Sequence, residues 1–231
     1  MKKMKKIIGF LALLFVIEFF AVLTLTTCSD PVGFPAGFRT YYNDGYSELL
    51  NDSIYSQAVS VMGIQAIKQE ITCGYAVIEM LAKWIGKPIT EKSLSSQNNG
   101  EISTSTGSGF LKEMNRQFPE WETVRYVNIT NMELLKNIHA SLKNGFPVPI
   151  EFAAKNTSSE WTLHFAIVSS MDLGNNKIVV QNPYGYEETY TVDNFIRATR
   201  YECYENMEWY FEFGFNMGLF HKNTIYIISN K

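Results

Sequence analysis

Three residue types that can cooperate in nucleophilic catalysis occur along the chain in the order cysteine, histidine, asparagine. Cys73 stands in the stretch KQEITCGYAVIEML, where a helix is predicted to begin. A thiol in the first turn of a helix faces unsatisfied backbone N–H groups and the positive end of the helix dipole, both of which favour the thiolate. The position therefore suits a nucleophile, which still needs a base.

The base must come from the three histidines of the chain. His139 lies inside a predicted helix, where a surface or packing role is the simpler interpretation, and His221 lies near a late loop in GLFHKN. His164 begins the apolar strand HFAIV, whose rigid backbone could present the ring to a nucleophile on another element. We therefore expect His164 to be the general base.

Two further side chains could complete a catalytic site. Asn182 ends the next predicted strand, in VVQNPYG, and neighbouring antiparallel strands would place it beside His164, where it could orient the imidazole. Gln69 precedes Cys73 and could form an oxyanion hole together with the Cys73 backbone N–H. The order Cys, His, Asn along the chain is that of papain-like peptidases.

Each of these residues also has an interpretation without catalysis. A single cysteine on an amphipathic helix is usually a small buried hydrophobic residue, and a histidine in a strand can simply be packed. Asn182 precedes Pro183, and an Asn-Pro pair commonly initiates a turn. Cys203, in an aromatic-rich segment, is expected to contribute packing. These alternatives leave the activity of the three residues open.

Five segments in a fixed order resemble one known family. They are Gln69 with Cys73-Gly74, the surroundings of Thr106-Gly107, and the segments LKNGFPV, HFAIV and NPYG that begin at residues 142, 164 and 182. Together they resemble the bacteriocin-processing (double-glycine) peptidase-like branch of the papain-fold cysteine peptidases. The resemblance extends over about residues 60–200.

This resemblance implies a papain-like fold with Cys73 as nucleophile, His164 as general base, Asn182 as orienting residue and Gln69 as oxyanion donor. Two features depart from the family: fewer residues than usual separate Gln69 from Cys73, and the family often has Asp where Asn182 stands. A neutral asparagine can hold the ring, but it stabilises an imidazolium less than a carboxylate does. Some family members are fused to ABC transporters; because this sequence shows no Walker-type ATP-binding motif, a stand-alone form is expected.

The N-terminus resembles an export signal. Four lysines precede an apolar run over residues 7–27, which at about 20 residues is long enough to span a bilayer. Residues 1–27 are therefore expected to be a signal peptide or a membrane anchor. The sequence LTTC, ending at Cys28, resembles a bacterial lipobox and would make Cys28 a lipid-bearing residue. Each of these forms predicts an exported protein, held at the outer face of the membrane or secreted.

The elements that must position the catalytic residues follow from periodicity. Residues 28–54 are rich in turn formers and are interpreted as a lead-in or tether, so the domain is expected over residues 55–231. Three helices are predicted: from Thr72 to Gly86, around residues 110–118 after a polar loop over 93–109, and from a capping box at Thr130 to Gly145.

Strands are predicted to follow the helices. Five β-rich runs cover residues 147–152, 164–168, 177–181, 188–192 and 223–229. Helices first and strands later indicate an α+β fold, in which N-terminal helices pack on an antiparallel sheet.

The composition restricts the partners. The formal net charge is −3 and the basic residues after the N-terminus are scattered, which argues against nucleic acid. The cysteines and histidines show no metal-ligand spacing, so no metal or organic cofactor is implied. We expect a monomeric peptidase that acts on a peptide or protein through a thioester acyl-enzyme. A catalytically silent surface binding module, and an acyltransferase or deamidase with the same triad, are the alternatives.

Overall fold

The computed structural model describes residues 45–156 and 158–231. The predicted signal or anchor, Cys28 and most of the lead-in lie outside the described residues. In the described part of the chain, no helix has the length and apolar character needed to cross a bilayer.

The described residues form one 3-10 helix, six α-helices and seven strands. A 3-10 helix, Tyr46–Asn51, comes first. The α-helices are α1 Cys73–Trp84, α2 Glu91–Gln97, α3 Gly107–Gln117, α4 Asn131–Lys143, α5 Val192–Thr199 and α6 Trp209–Asn216. The strands are β1 Val59–Ser60, β2 Trp121–Tyr126, β3 Val148–Lys155, β4 Trp161–Asp172, β5 Lys177–Asn182, β6 Tyr186–Tyr190 and β7 Thr224–Asn230.

All strand pairs in the described residues are antiparallel and belong to one sheet. The strand order is β2-β7-β3-β4-β5-β6, and the short β1 pairs with β4. In the centre of the sheet, Phe152 of β3 lies opposite His164 of β4. The α+β prediction, with helices packed on an antiparallel sheet, is confirmed.

The sheet separates two hydrophobic cores because successive side chains of a strand point to opposite faces. On one face, helices α4 and α5 pack against strand residues such as Phe152, Ala166 and Val168. On the other face, helices α1 and α3 pack against residues such as Phe165 and Tyr226. Strand β4 thus contacts both cores, and its central position makes it a rigid support for His164.

The two helix starts predicted from threonine caps are confirmed. The Thr72 hydroxyl accepts a hydrogen bond from the Tyr75 backbone N–H at the start of α1. Thr130 and Glu133 form the reciprocal capping box that opens α4. In both cases the cap satisfies backbone donors that the first helical turn leaves free.

The prediction of a loop over residues 93–109 was wrong at both ends. Helix α2 runs through Gln97, and its capping box pairs Thr90 with Ser93, a serine where Glu or Gln is the usual partner. Helix α3 begins at Gly107 with Thr106 as its cap. The predicted run 188–192 also ends early, because Thr191 caps helix α5. Strand β2 and helices α5 and α6 were not predicted.

Candidate active site

Cys73 is the first residue of α1, as predicted, and its side chain is partly buried. Backbone groups near the thiol lower its pKa, with the larger effect from Phe165 on β4 and a smaller one from Gly74. The nucleophile candidate therefore lies where the N-terminus of α1 meets the strand that carries His164.

The prediction that this position favours the thiolate was wrong in its net direction. Burial raises the pKa of the Cys73 thiol, and this effect outweighs the backbone N–H groups, which lower the pKa. The negative charge of Glu91 adds a smaller increase. The helix N-terminus acts in the expected sense, but removing the sulfur from water disfavours the charged form more strongly. The raised pKa favours the protonated thiol over the thiolate.

Gly74 follows the nucleophile candidate because a side chain has no room there. A Cβ at position 74 would overlap the Thr104 side chain, which lies directly against the first turn of α1. The hydroxyls of Thr104 and the cap residue Thr72 are 3.4 Å apart. The segment before α3 therefore packs closely against the start of the Cys73 helix.

Glu91 holds the segment that leads into Cys73, and sequence reasoning missed it. Its carboxylate accepts three consecutive backbone N–H groups, from Glu70 and Ile71 at 2.8 Å and from Thr72 at 2.9 Å. Glu91 itself is only 3% exposed. A buried carboxylate with three charge-assisted hydrogen bonds fixes this segment strongly. No sequence signal pointed to it, because Glu91 lies beyond α1 in the first turn of α2.

His164 and Asn182 form the pair that the strand order predicted. The Nε2 atom of His164 lies 3.0 Å from Oδ1 of Asn182, and both side chains are buried, at 3% and 0% exposure. Burial lowers the pKa of His164 to about 4, although the Asn182 hydrogen bond raises it in part. The ring is therefore neutral near neutral pH and can accept a proton.

The neighbours of Asn182 determine which ring nitrogen is free. Asn182 Oδ1 also accepts the Tyr184 backbone N–H at 2.9 Å, and Nδ2 donates to Glu188 at 2.8 Å, so the amide has one orientation. Because an amide oxygen can only accept, the proton of the neutral His164 ring lies on Nε2. The other nitrogen, Nδ1, then carries the lone pair that a general base needs.

The turn after Asn182 joins this pair to the segment before Cys73. The Tyr184 ring stacks on the His164 ring, with 4.3 Å between centroids. Gly185, with φ of 96°, closes the turn in a conformation that glycine adopts readily. The Gln69 backbone N–H donates to Pro183 at 2.6 Å. Gln69 is thereby attached to the same turn that carries Asn182.

The amide oxygen of Gln69 has no partner in the described part of the chain, although the Gln69 backbone is fixed to the turn at Pro183. Its Oε1 atom is buried and has no hydrogen-bond partner among the described residues. A buried amide oxygen without a partner is uncommon and costs free energy. The role of Gln69 as an oxyanion donor stays a prediction, because that role needs the amide Nε2 and the unpartnered atom is the oxygen.

The four predicted site residues lie on adjoining segments of the structure. The hydrogen bond that is missing in the described part of the chain is the one between Cys73 and His164. Among the described residues, no hydrogen bond joins the Cys73 thiol to the His164 ring; the protein groups that affect the pKa of the thiol most are backbone groups, Phe165 first. The other histidines are accounted for elsewhere, since His139 packs against Tyr55 and His221 bonds to Asn128.

The remaining predictions concern Cys203 and metal binding. Cys203 is a free thiol that packs beside two hydrophobic clusters, as expected. Within residues 45–156 and 158–231, no group of three or more histidine, cysteine or acidic side chains is arranged to hold a metal ion.

Comparison with known proteins places the chain in a family. A crystal structure of a double glycine motif protease from an AMS/PCAT transporter, in complex with the leader peptide, matches with a TM-score of 0.47 and 15% identity over 76% of this chain and 100% of that chain. The peptidase domain of Streptococcus ComA, a bi-functional ABC transporter involved in quorum sensing, matches with a TM-score of 0.48 and 14% identity over 73% of this chain and 100% of that chain. No curated protein gives a significant match.

A family model decides the assignment. The model described as Peptidase_C39 like family matches residues 50–210, which is well over half of the chain and includes all four predicted site residues. The match confirms the predicted relation to the double-glycine peptidases and the papain-like fold class. The chain belongs to the Peptidase_C39 like family.

Proposed function

We propose that this protein is an exported cysteine peptidase that hydrolyses peptide bonds with Cys73 as nucleophile and His164 as general base. The observation that carries the proposal is the hydrogen bond from His164 Nε2 to Asn182 Oδ1, which leaves Nδ1 as a proton acceptor in a buried ring. The neighbouring residue, Phe165, holds the thiol. A nucleophile, a base and an orienting group on adjoining elements are the arrangement that acyl transfer requires.

The reaction would proceed in two stages. In the first, Cys73 Sγ bonds to the peptide carbonyl carbon while its proton moves to His164 Nδ1, and the carbonyl oxygen becomes an oxyanion. The Cys73 backbone N–H and the Gln69 amide would donate to that oxyanion. When the intermediate collapses, the C–N bond breaks and His164 gives the proton to the leaving amine. In the second stage water, deprotonated by His164, cleaves the thioester and releases the acid and the free thiol.

The resting protonation states set the order of events. Burial raises the pKa of Cys73 and lowers that of His164 to about 4, so both groups start neutral. The proton therefore moves during attack rather than before substrate binds. The thiol must turn from Phe165 towards the His164 ring for this step. Catalytic hydrogen bonds are often unmade in a free enzyme and form only with substrate.

The exported location is part of the same proposal and is supported by the sequence alone. Four lysines followed by the apolar run over residues 7–27 have the order of a signal peptide or anchor. Fractionation of cells into cytoplasm, membrane and medium, with mass measurement of the mature N-terminus, tests it. Full-length chain confined to the cytoplasm would overturn the exported location.

Peptide cleavage tests the activity. Full-length protein in mild detergent is incubated with a mixed peptide library, and new termini are identified by mass spectrometry. The proposal predicts fragments from the wild type that are absent with Cys73→Ala and with His164→Ala. Fragments that persist with Cys73→Ala would assign the cleavage to another residue or to a contaminant.

A catalytically silent binding module is the second candidate, and one observation favours it. The Cys73 thiol has a raised pKa and makes no hydrogen bond to His164 in the described residues. A protein that binds peptides at this site without cleaving them would bind the same library with equal affinity in the wild type and in Cys73→Ala. The peptidase proposal predicts that the wild type releases cleaved peptides instead.

A further inference from the structure

Two consecutive amides of β5 donate to two consecutive glutamates of β6. Gln181 Nε2 lies 2.7 Å from Glu187 Oε2, and Asn182 Nδ2 lies 2.8 Å from Glu188 Oε2. Consecutive residues of a strand point to opposite faces, so the two amide–carboxylate pairs lie on opposite sides of the hairpin. The Asn182 pair contacts the His164 ring, and the Gln181 pair does not.

The Glu188 carboxylate is held in place on its own side. The Tyr190 hydroxyl donates to the same oxygen, Oε2, at 2.9 Å, and Glu188 is partly buried. Two donors at one oxygen restrict the carboxylate to a single position behind Asn182. A line of hydrogen bonds therefore runs from His164 through Asn182 to Glu188 and Tyr190.

The Glu188 carboxylate lies behind Asn182, which is the residue that bonds to the His164 ring. Tyr184 stacks on that ring, and its pKa is raised to about 12, mainly by burial, with smaller increases from the charges of Cys73, Tyr186 and Glu188. Asn182 is neutral and cannot balance an imidazolium. A buried positive charge is costly unless a negative charge lies near it.

We propose that Glu188 is a positioning residue for the His164 base, acting through Asn182. Its carboxylate holds the Asn182 amide with the oxygen towards His164 Nε2, and it supplies the negative charge that stabilises the imidazolium formed when the Cys73 proton reaches Nδ1. No atom of Glu188 touches the reacting groups. The inference rests on the proposed roles of Cys73 and His164.

The orientation matters because a turned amide would reverse the tautomer. With Nδ2 towards His164, Nε2 would have to accept, and the ring proton would move to Nδ1, where it blocks transfer from the thiol. The Tyr184 backbone N–H opposes the turned amide from one side, and Glu188 opposes it from the other. Loss of Glu188 removes the acceptor that Nδ2 needs inside the protein.

The first test determines the tautomer of the His164 ring and does not require catalytic activity. Full-length protein labelled with ¹⁵N in histidine is compared by NMR at neutral pH as wild type, Glu188→Ala, Glu188→Gln and the matched control Glu187→Gln. The His164 signals are assigned by their loss in His164→Ala. The proposal predicts a protonated Nε2 in the wild type, in Glu188→Gln and in Glu187→Gln, and a mixture of tautomers in Glu188→Ala. An unchanged tautomer in Glu188→Ala would overturn the positioning role.

The second test measures the effect of the Glu188 charge on the rate of iodoacetamide labelling at Cys73. Relative to wild type, we expect about a tenfold loss in Glu188→Ala and a smaller loss in Glu188→Gln, which keeps an acceptor but no charge. Glu187→Gln should label like the wild type. Equal rates in Glu188→Gln and wild type would exclude the charge effect. If wild type and His164→Ala label at the same rate, the proposed function fails, while the NMR comparison still decides the positioning role.

Discussion

The Phe165 backbone lowers the pKa of the Cys73 thiol, while the side chain of His164, one residue earlier on β4, forms a hydrogen bond with Asn182. Two consecutive residues of one central strand therefore position the candidate nucleophile and the candidate base. Strand β4 pairs with β5 only from Ile167 onwards, where Ile167 lies opposite Gln181. His164 and Phe165 therefore lie on the part of β4 that is not paired with β5.

Alkylation of Cys73 should increase towards alkaline pH rather than level off near neutrality. Burial raises the pKa of this thiol above its ordinary value, so the thiolate is scarce at neutral pH. The rate of iodoacetamide labelling at Cys73, measured by peptide mass spectrometry across pH, checks this. A plateau that is already complete at neutral pH would mean that the resting thiol is ionised.

Glu91→Gln should separate thiol ionisation from catalysis. Removing the charge of Glu91 lowers the Cys73 pKa, because that charge now raises it. The same change breaks at least one of the three backbone hydrogen bonds that hold residues 70–72. We expect the alkylation profile to shift to lower pH while kcat for peptide cleavage falls by about ten- to a hundredfold.

The matched control for this change is Glu70→Gln. Glu70 lies on the same segment, is exposed, and pairs with Lys92 at 2.9 Å. The change Glu70→Gln also removes one negative charge near residues 70–72, but it leaves their hydrogen bonds to Glu91 in place. Wild-type kcat in Glu91→Gln, or an equal loss in Glu70→Gln, would contradict the assigned role of the Glu91 carboxylate.

The stability of the protein should fall between pH 6.5 and pH 4 because of His164. Its pKa is about 4 in the folded chain and ordinarily 6.5, so in this interval the unfolded chain binds a proton that the folded chain does not. The contribution of His164 to the free energy of unfolding is fully present above the ordinary pKa of 6.5. It is lost as the pH falls towards the pKa of about 4 in the folded chain. The difference corresponds to about 3 kcal/mol.

Urea unfolding of wild type and His164→Gln at pH 7.5 and pH 4.5 checks this contribution. His139 and His221 are present in both proteins, so their effects cancel in the comparison. The wild type should lose more free energy of unfolding between the two pH values than the variant does. Equal losses would show that the His164 ring is charged or hydrated in the folded protein.

Gly74→Ala should destabilise the protein and displace Cys73. The added methyl group would overlap the Thr104 side chain, so either α1 or the segment before α3 must shift. Overpacking of this kind costs about 1–3 kcal/mol. Thermal unfolding and Cys73 labelling report the two effects. The double variant Gly74→Ala, Thr104→Gly should recover part of the stability; no recovery would place the strain elsewhere.

The features that the sequence predicted are those that local chemistry determines. Threonine caps mark the starts of α1 and α4 because their hydroxyls bond to backbone groups three residues ahead. The contact between His164 and Asn182 followed from two consecutive β-rich runs, since consecutive strands joined by a short turn pair with each other.

The features that it did not predict depend on distant parts of the chain. Glu91 reaches residues 70–72 from the first turn of α2, and Glu188 reaches Asn182 across the β5–β6 hairpin. The ionisation of Cys73 was predicted in the wrong direction because burial by β4 is a tertiary effect, and it exceeds the local effect of the helix N-terminus. Neither contact nor burial leaves a periodic signal in the sequence.

The most direct test of the central claim compares the labelling of Cys73 in wild type and His164→Ala. Full-length protein is treated briefly at near-neutral pH with an E-64-type epoxide, and modified peptides are quantified by mass spectrometry, with Cys203 as the internal reference. We expect selective modification of Cys73 that falls at least about tenfold in the variant, because the neutral thiol needs the His164 base to react. Equal labelling of Cys73 in both proteins, or faster labelling of Cys203, would contradict it.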